Sequence, residues 1–155
     1  MPTQLRDEIK QTRPFASLEQ EAFLSVERTA AVLGHAFSEA LKPHGITSTQ
    51  YNVLRILRGA GEGGLCRSEI WERMVAQVPD VTRLLDRMEA AGLVERERSA
   101  TDRRFVTTRI TEEGLRILRE LDGPVEALHQ RLMSHLGADG LRTLVDLLAR
   151  LREAV

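Results

Sequence analysis

The stretch VPDVTRLLDRMEAAGLVERERSATDRRFVTTRIT, residues 78–111, decides the fold of this chain. Its first half has apolar residues at helical spacing, and four of them share one face: Val81, Leu84, Leu85 and Met88. Its second half contains two runs, LVERER and RFVTTRI, that alternate with the period of β-strands. The intervening SATD is rich in turn-forming residues. The stretch therefore predicts an amphipathic helix followed by a two-stranded antiparallel hairpin.

Two helices are predicted well before this stretch. After Ser17, apolar residues recur every three or four positions as far as Phe37, and the sequence PHG at 43–45 ends that helix. Thr47 and Gln50 have the spacing of a capping box and begin the second helix.

A short third helix is predicted over residues 66–74, and it offers Ile70, Trp71 and Met74 for burial. The helix of the deciding stretch is expected to open at Gln77 or Val78, with Pro79 in its first turn. A short helix, a tight turn, a second helix and an immediate hairpin are the layout of a winged helix-turn-helix. The predicted fold is therefore mainly α, with a small β-hairpin wing.

The chain after Thr111 is predicted to be helical to its end. An irregularity is expected at Pro124, and Asp139 is expected to cap a last helix. Together with the first helix, these segments have more apolar surface than one winged domain can cover, which favours a homodimer. The alternative is that the terminal helices pack only on each other.

The predicted organisation is one continuous fold in three parts. Residues 1–45 form an N-terminal dimerisation helix, residues 46–111 the winged helix-turn-helix, and residues 112–155 the C-terminal dimerisation helices.

The composition is that of an ordinary globular protein. Of the 155 residues, 42% are hydrophobic and 29% are charged, and no apolar run approaches the length of about 18 residues that spans a bilayer. The N-terminal residues lack the apolar core of a secretory signal. We therefore expect a cytoplasmic protein with no membrane partner.

Charge is concentrated locally, because the formal net charge of the whole chain is only -1. The segment from Arg83 to Arg109 contains seven arginines and five acidic residues, which gives it a local net charge of +2. Any attraction to nucleic acid must come from such clustering.

The helix of the deciding stretch has a face suited to DNA. If its apolar residues are buried, Thr82, Arg83 and Arg87 lie on the opposite, exposed face. In the major groove an arginine can donate two hydrogen bonds to guanine, and Thr82 can contact a phosphate or a thymine methyl group. Gln77, near the helix start, is placed for adenine or for the backbone. The alternative is that the two arginines pair with Asp80, Asp86 and Glu89 on a solvated face.

The tip of the predicted hairpin adds a second cluster. In the sequence ATDRRF, Asp102 stands beside Arg103 and Arg104, so that its carboxylate can orient one guanidinium. A narrow A·T-rich minor groove favours an inserted arginine. A helix for the major groove and a tip for the minor groove together indicate a DNA-binding protein.

The segments EIWERM, DVTRLLDRMEAAGLVERERS and DRRFVTTRITEEG resemble the signature of the MarR (multiple antibiotic resistance regulator) family of bacterial transcription factors, from about residue 47 to residue 114. The resemblance implies a homodimer that binds a roughly palindromic operator in double-stranded DNA, usually as a repressor. It also implies release of the DNA by a ligand or by oxidation.

The resemblance assigns roles to individual residues. Thr82, Arg83 and Arg87 match the recognition-helix contacts of the family, and Asp102 and Arg104 match its wing-tip aspartate and minor-groove arginine. Arg96 matches a basic position at the base of the wing, and Arg103 occupies a more variable position.

The family also binds small aromatic or phenolic effectors between the dimerisation helices and the winged domain. The residues of this chain that could face such a crevice are His35, His44, Tyr51 and Arg55.

Redox and metal chemistry rest on few residues. Cys66 is the single cysteine; it is either a structural residue replacing a helix cap or a redox sensor with its thiol near a helix start. His129 and His135 lie on nearly opposite faces of a helix, so neither a metal site nor a cofactor is predicted.

Two other classes of function fit the sequence less well. An enzyme is disfavoured because the chain has no Gly-rich phosphate loop and neither an HExxH nor a GxSxG motif. A winged helix that contacts another protein remains the second alternative.

Overall fold

The computed structural model describes residues 4–155. These residues contain seven α-helices and three short strands, joined by loops and 3₁₀ turns. The first three residues of the predicted N-terminal dimerisation region lie outside this range. The helices are α1 (Leu5–Glu8), α2 (Leu18–Leu41), α3 (Ser48–Ala60), α4 (Arg67–Arg73), α5 (Val81–Ala90), α6 (Glu112–Met133) and α7 (Gly137–Arg152). The strands are β1 (Leu65–Cys66), β2 (Val94–Arg98) and β3 (Val106–Ile110).

The described residues form two units, one ending at Phe37 and one beginning at Ser38. The second unit has a core in which α3, α4, α5 and α6 bury large apolar side chains. Its most deeply buried members include Leu54, Leu57, Ile70, Leu85, Met88, Leu118 and Leu121. Burying one such side chain contributes about 1.5–3 kcal/mol, so these residues hold the short helices in place.

The predicted end of α2 and the predicted capping box at the start of α3 are both confirmed. Helix α2 ends at Leu41, a 3₁₀ turn follows, and Gly45 adopts a left-handed conformation with φ of 70°. At the start of α3, the amide of Gln50 donates to Oγ1 of Thr47 at 3.1 Å, and the amide of Thr47 donates to Oε1 of Gln50 at 3.0 Å. This reciprocal pair satisfies two amides that a helix start leaves without partners.

The predicted start of α5 is wrong by three or four residues. The helix begins at Val81, and Asp80 caps it by accepting a hydrogen bond from the amide of Arg83 at 2.9 Å. Gln77 and Pro79 therefore lie in the preceding loop. A capping carboxylate satisfies the free amides of the first turn, which is why the helix starts after Asp80 rather than at Pro79.

Trp71 is not buried as predicted, since 41% of the residue is exposed. Its indole Nε1 donates to the carbonyl of Val78 at 3.1 Å, and the ring N–H needs such a partner. Trp71 therefore holds the loop that precedes α5.

The predicted hairpin is confirmed, and a third strand joins it. Strands β2 and β3 are antiparallel, with Val94 opposite Ile110 and Arg98 opposite Val106. Strand β1 pairs with the other edge of β3, giving the order β1-β3-β2. Gly64 precedes β1 with φ of +65°, and a Cβ there would lie 2.5 Å from the carbonyl oxygen of Thr108. Only glycine allows this approach.

The C-terminal helices differ from the prediction at two points. Helix α6 continues through Pro124 without a break, although a proline inside a helix costs about 3 kcal/mol. Buried Leu121, Val125 and Leu128 on the same helix offset that cost. Helix α7 begins at Gly137, so Asp139 lies in its first turn and does not cap it.

No helix within residues 4–155 combines the length and the apolar character that crossing a bilayer requires.

Helix α6 leaves the sheet through a tightly packed junction. Thr111 caps the helix, and its hydroxyl donates to the carbonyl of Gly92 at 2.6 Å. A Cβ on Gly114 would lie 2.6 Å from the carbonyl oxygen of Leu93 and 2.7 Å from Cγ1 of Ile110. The helix can pass this carbonyl only because residue 114 has no side chain.

Replacing Gly114 by alanine is expected to lower the free energy of unfolding by about 1–3 kcal/mol, because the new methyl group overlaps a backbone carbonyl that is held in place. The measurement is the midpoint of urea unfolding at one fixed protein concentration. Gly59→Ala is the matched control, since a Cβ on this helical glycine would meet no atom of the described residues within 4 Å. Its midpoint should rise slightly, and equal midpoints for both variants would contradict the packing argument.

Candidate nucleic-acid interface

Helix α5 has one buried and one exposed face, as predicted. Val81, Leu85 and Met88 are buried in the core. Thr82, Arg83, Asp86 and Arg87 are exposed on the other side. The 3.6-residue period of the helix produces this separation.

The guanidinium groups of Arg83 and Arg87 are unpaired among the described residues, with no ion pair or side-chain hydrogen bond to either. The acids proposed as their alternative partners are engaged elsewhere. Asp80 accepts from the backbone amide of Arg83, and Asp86 and Glu89 pair with a different arginine. The alternative of a self-neutralised solvated face is therefore wrong, and α5 carries two guanidinium groups free to bind an anion.

Arg96 is the arginine that pairs with those acids. Its Nη2 lies 2.6 Å from Oδ1 of Asp86 and 2.9 Å from Oε1 of Glu89. The hydrogen bond to Glu89 is the main cause that raises the pKa of the Arg96 guanidinium, and the same bond lowers the pKa of the Glu89 carboxyl. Strand β2 is thereby tied to α5.

The tip of the wing presents two exposed arginines, Arg103 and Arg104. Asp102 accepts a hydrogen bond from the amide of Arg104 at 3.0 Å, while its Oδ1 lies 3.9 Å from Nε of the same residue. The carboxylate therefore holds the backbone of the turn, and the guanidinium is only loosely paired. The Arg104 side chain is 94% exposed, which leaves it free to reach a ligand.

Two further arginines border this surface and were not predicted. Arg67, at the start of α4, donates from Nη1 to the hydroxyl of Thr82 at 3.0 Å. Arg98, at the end of β2, is exposed and without an acidic partner in the described chain. Arg98 could have been found, because in the sequence ERER it shares a strand face with Arg96. The contact of Arg67 with Thr82 has no local sequence signal.

We use the name arginine face for six exposed side chains of α5 and of the wing. It consists of Thr82, Arg83, Arg87, Arg98, Arg103 and Arg104. A cleft of about 330 Å³ lies between α5 and the wing. The residues that line it include Arg67, Arg96, Arg104 and Phe105. Gln77 is exposed in the loop before α5. A helix and an adjacent tip that both carry unpaired arginines can bind a polyanion at two points.

The four predicted effector residues are distributed over both units. His35 is exposed on α2, in the unit that ends at Phe37. Tyr51 is buried, and its hydroxyl accepts a hydrogen bond from Nη1 of Arg55 at 3.2 Å. His44 lies 4.0 Å from the carboxylate of Glu120, and its buried Nδ1 has no hydrogen-bond partner within residues 4–155. The effector site stays a prediction.

Cys66 stands immediately before α4, where its backbone amide donates to Oε2 of Glu69 at 2.8 Å. This hydrogen bond lowers the pKa of the Glu69 carboxyl. The geometry fits a residue at a helix cap, and a redox role of the thiol stays untested. Within residues 4–155, no three His, Cys, Asp or Glu side chains cluster as metal ligands would.

The chain is similar in sequence to known transcriptional regulators. The model of the MarR family matches residues 46–106. The HTH-type transcriptional regulator TtmR of Methylorubrum extorquens is 34% identical over 139 residues, which cover 88% of this chain and 68% of that protein.

Two solved structures show the same fold with DNA present. A mutant MarR from E. coli complexed with operator DNA is 27% identical, with a TM-score of 0.76, over 96% of this chain and 99% of that one. The transcriptional repressor CouR, bound to a 23-mer DNA duplex, is 26% identical, with a TM-score of 0.77, over 92% of this chain and 99% of that one.

The cap of α5 gives a testable prediction. Asp80→Ala is expected to cost about 1 kcal/mol of stability, because the first turn of α5 loses its acceptor for the amide of Arg83. The urea midpoint measures this loss. Asp80→Asn keeps an acceptor oxygen and is the matched control, so an equal loss in both variants would argue against the capping hydrogen bond.

Proposed function

Because the chain belongs to the MarR family of DNA-binding transcriptional regulators, which are not enzymes, we propose that it acts as a homodimeric repressor of a roughly palindromic operator. We further propose that a small aromatic or phenolic molecule releases it from DNA. As a regulator of genes it would work in the cytoplasm, beside the chromosome.

The observation that carries the proposal is that the guanidinium groups of Arg83 and Arg87, on the exposed face of α5, have no partner in the described part of the chain. A helix fits the major groove, where a free guanidinium can donate two hydrogen bonds to O6 and N7 of guanine. An arginine already paired with a carboxylate would have to break that pair first. The guanidinium groups of Arg83 and Arg87 can bind a base without first breaking such a pair.

The wing supplies the second point of contact. Arg104 projects from a turn whose backbone Asp102 fixes, and an arginine in a narrow minor groove gains from the enhanced negative potential there. Arg103 and Arg98 are exposed near the same end of the hairpin and suit phosphate contacts. The base contacts come from α5, and the wing adds affinity and a preference for A·T-rich flanks.

A second copy of the chain is proposed to cover the terminal helices. Leu147 and Leu151 lie one turn apart on α7, each 52% exposed, and α7 has no buried residue at all. On α2, Leu18 and Phe23 are exposed as well. We assign residues 1–45 and 112–155 to dimerisation and residues 46–111 to DNA, since a monomer would leave these apolar side chains in water.

A rival function is a winged helix that binds another protein. Salt dependence separates the two, because each phosphate neutralised on DNA contributes about -0.9 to the log-log slope of affinity against salt. A slope corresponding to several phosphates favours DNA, whereas a flat dependence favours the rival.

The proposal is tested by incubating the purified protein with fragmented genomic DNA of its source organism and sequencing the retained fragments. An enriched inverted repeat is expected, with its half-sites about 10 base pairs apart, because two recognition helices must enter successive major grooves on one side of the duplex. A single half-site, or no enrichment at low salt, would contradict the proposal.

Arg83→Ala and Arg104→Ala are expected to weaken operator binding in different ways. Loss of Arg83 should cost about 1–3 kcal/mol and relax the preference at one base pair, whereas loss of Arg104 should remove the preference for A·T-rich flanks. Titration against a library of operator variants measures both effects. Arg119→Ala, which removes an arginine paired with Glu112 on α6, is the control and should bind as the unaltered protein does.

Leu147→Glu combined with Leu151→Glu is expected to produce a monomer, because two carboxylates would be buried in the proposed interface. Light scattering on a sizing column gives the mass. Arg142→Glu, at an exposed position on the opposite side of the same helix, should remain a dimer. An unaltered protein that runs as a monomer would overturn the dimer.

A further inference from the structure

We propose that Arg96 is a positioning residue for DNA binding, which engages Asp86 and Glu89 so that Arg83 stays free for the bases, and that it makes no DNA contact itself. The inference rests on the proposed function. It assigns to Arg96 a role different from the direct contact that its place at the base of the wing suggests.

The geometry around Arg96 leaves little of its side chain for a ligand. One nitrogen, Nη2, is shared between Asp86 at 2.6 Å and Glu89 at 2.9 Å, and the side chain is only 21% exposed. The backbone amide of Arg96 also donates to Oε2 of Glu89 at 3.1 Å. Both oxygens of Glu89 are therefore bound by one residue of β2.

The position of Asp86 makes this engagement important. Asp86 lies three residues after Arg83 on α5, a spacing at which opposite charges pair across one helical turn. In the structure Asp86 pairs with Arg96, and Arg83 has no acidic partner among the described residues. Without Arg96, Asp86 could turn to Arg83 and occupy the group that would read a base.

Repulsion between the acids of α5 and the phosphates of DNA is a second reason why Arg96 would favour binding. Asp86 and Glu89 place two carboxylates on the helix that approaches the phosphates, and Arg96 offsets part of this charge at short range. The hydrogen bond between Arg96 and Glu89 lowers the pKa of the Glu89 carboxyl and raises that of the Arg96 guanidinium, so it favours the charged form of both groups. The same contacts fix β2, and hence the wing, against α5.

A thermodynamic cycle separates the positioning role from direct contact. Operator affinity is measured for the unaltered protein, for Arg96→Met, for Asp86→Asn with Glu89→Gln, and for all three changes together. If Arg96 acts through the acids, its loss weakens binding about tenfold or more when they are present and less than about threefold when they are absent. Equal losses in both backgrounds would overturn the proposal.

The salt dependence provides a second readout. Removing a residue that contacts a phosphate reduces the magnitude of the log-log slope by about 0.9. We expect the slope of the triple variant to equal that of the variant lacking only the two acids. A slope smaller by one contact would assign Arg96 to the phosphate backbone.

Arg98→Met is the matched control. Arg98 lies two residues further along the same face of β2 and has no acidic partner in the described chain. Its loss should weaken binding by the same factor whether or not the acids are present. A change in that factor would mean that the acids affect the whole wing and that the coupling is not specific to Arg96.

Folding is checked on the same variants by urea unfolding without DNA. Arg96→Met should lower the midpoint in the native background and leave it unchanged when both acids are absent. An equal effect in both backgrounds would overturn the proposed role of the pairing between Arg96 and the acids, even if the protein binds no operator. Should Arg96→Met fail to fold, Arg96→Gln keeps a hydrogen-bond donor without the charge and enters the same cycle. Failure of the unaltered protein to bind DNA would instead refute the proposed function.

Discussion

The passage of Gly114 beside the carbonyl oxygen of Leu93 is the constraint on which the second unit depends. A Cβ at this position would meet α3 through Leu54, β3 through Ile110 and the segment after α5 through Leu93. Four elements therefore converge where one residue has no side chain. Thr111 closes the joint by donating to Gly92 and by capping α6. The wing and α6 are thereby fixed to the core at one point, close to the C-terminal end of α5.

The arginine face depends as much on acids as on arginines. The local excess of two positive charges between Arg83 and Arg109 is small, and charge counting alone gives little reason to expect DNA binding. Pairing changes this picture, because Arg96 and Arg109 engage three acids between them. Arg83 and Arg87 are left without acidic partners among the described residues. A nearly neutral chain can thus present a face whose exposed tips are mostly cationic.

Features with a local cause could be predicted from the sequence. The capping box at Thr47, the apolar face of α5 and the alternation of β2 and β3 each depend on residues close together in the chain. Strand β1 was missed because its two residues, Leu65 and Cys66, are too few to show a period, and its pairing is set by the close approach at Gly64. The start of α5 was misplaced because Pro79 and Asp80 both suit the beginning of a helix.

The site was predicted unevenly for the same reason. The exposure of Arg83 and Arg87 follows from helical periodicity, whereas the pairing of Arg96 joins residues ten and seven positions apart in different elements. Contacts between residues so far apart in the sequence depend on how β2 packs against α5. The continuity of α6 through Pro124 is also set by packing, since neighbouring buried side chains override a local preference.

The outer strand of the wing has a further consequence for how the protein behaves at high concentration. Strand β2 forms one edge of the sheet, and four of its five residues are charged, in the alternating order Glu95, Arg96, Glu97 and Arg98. The opposite edge, β1, is only two residues long. A long apolar edge would act as a template for strands of other molecules and lead to aggregation, and charged or very short edges prevent this. The charged residues of β2 therefore keep neighbouring molecules from joining sheet to sheet.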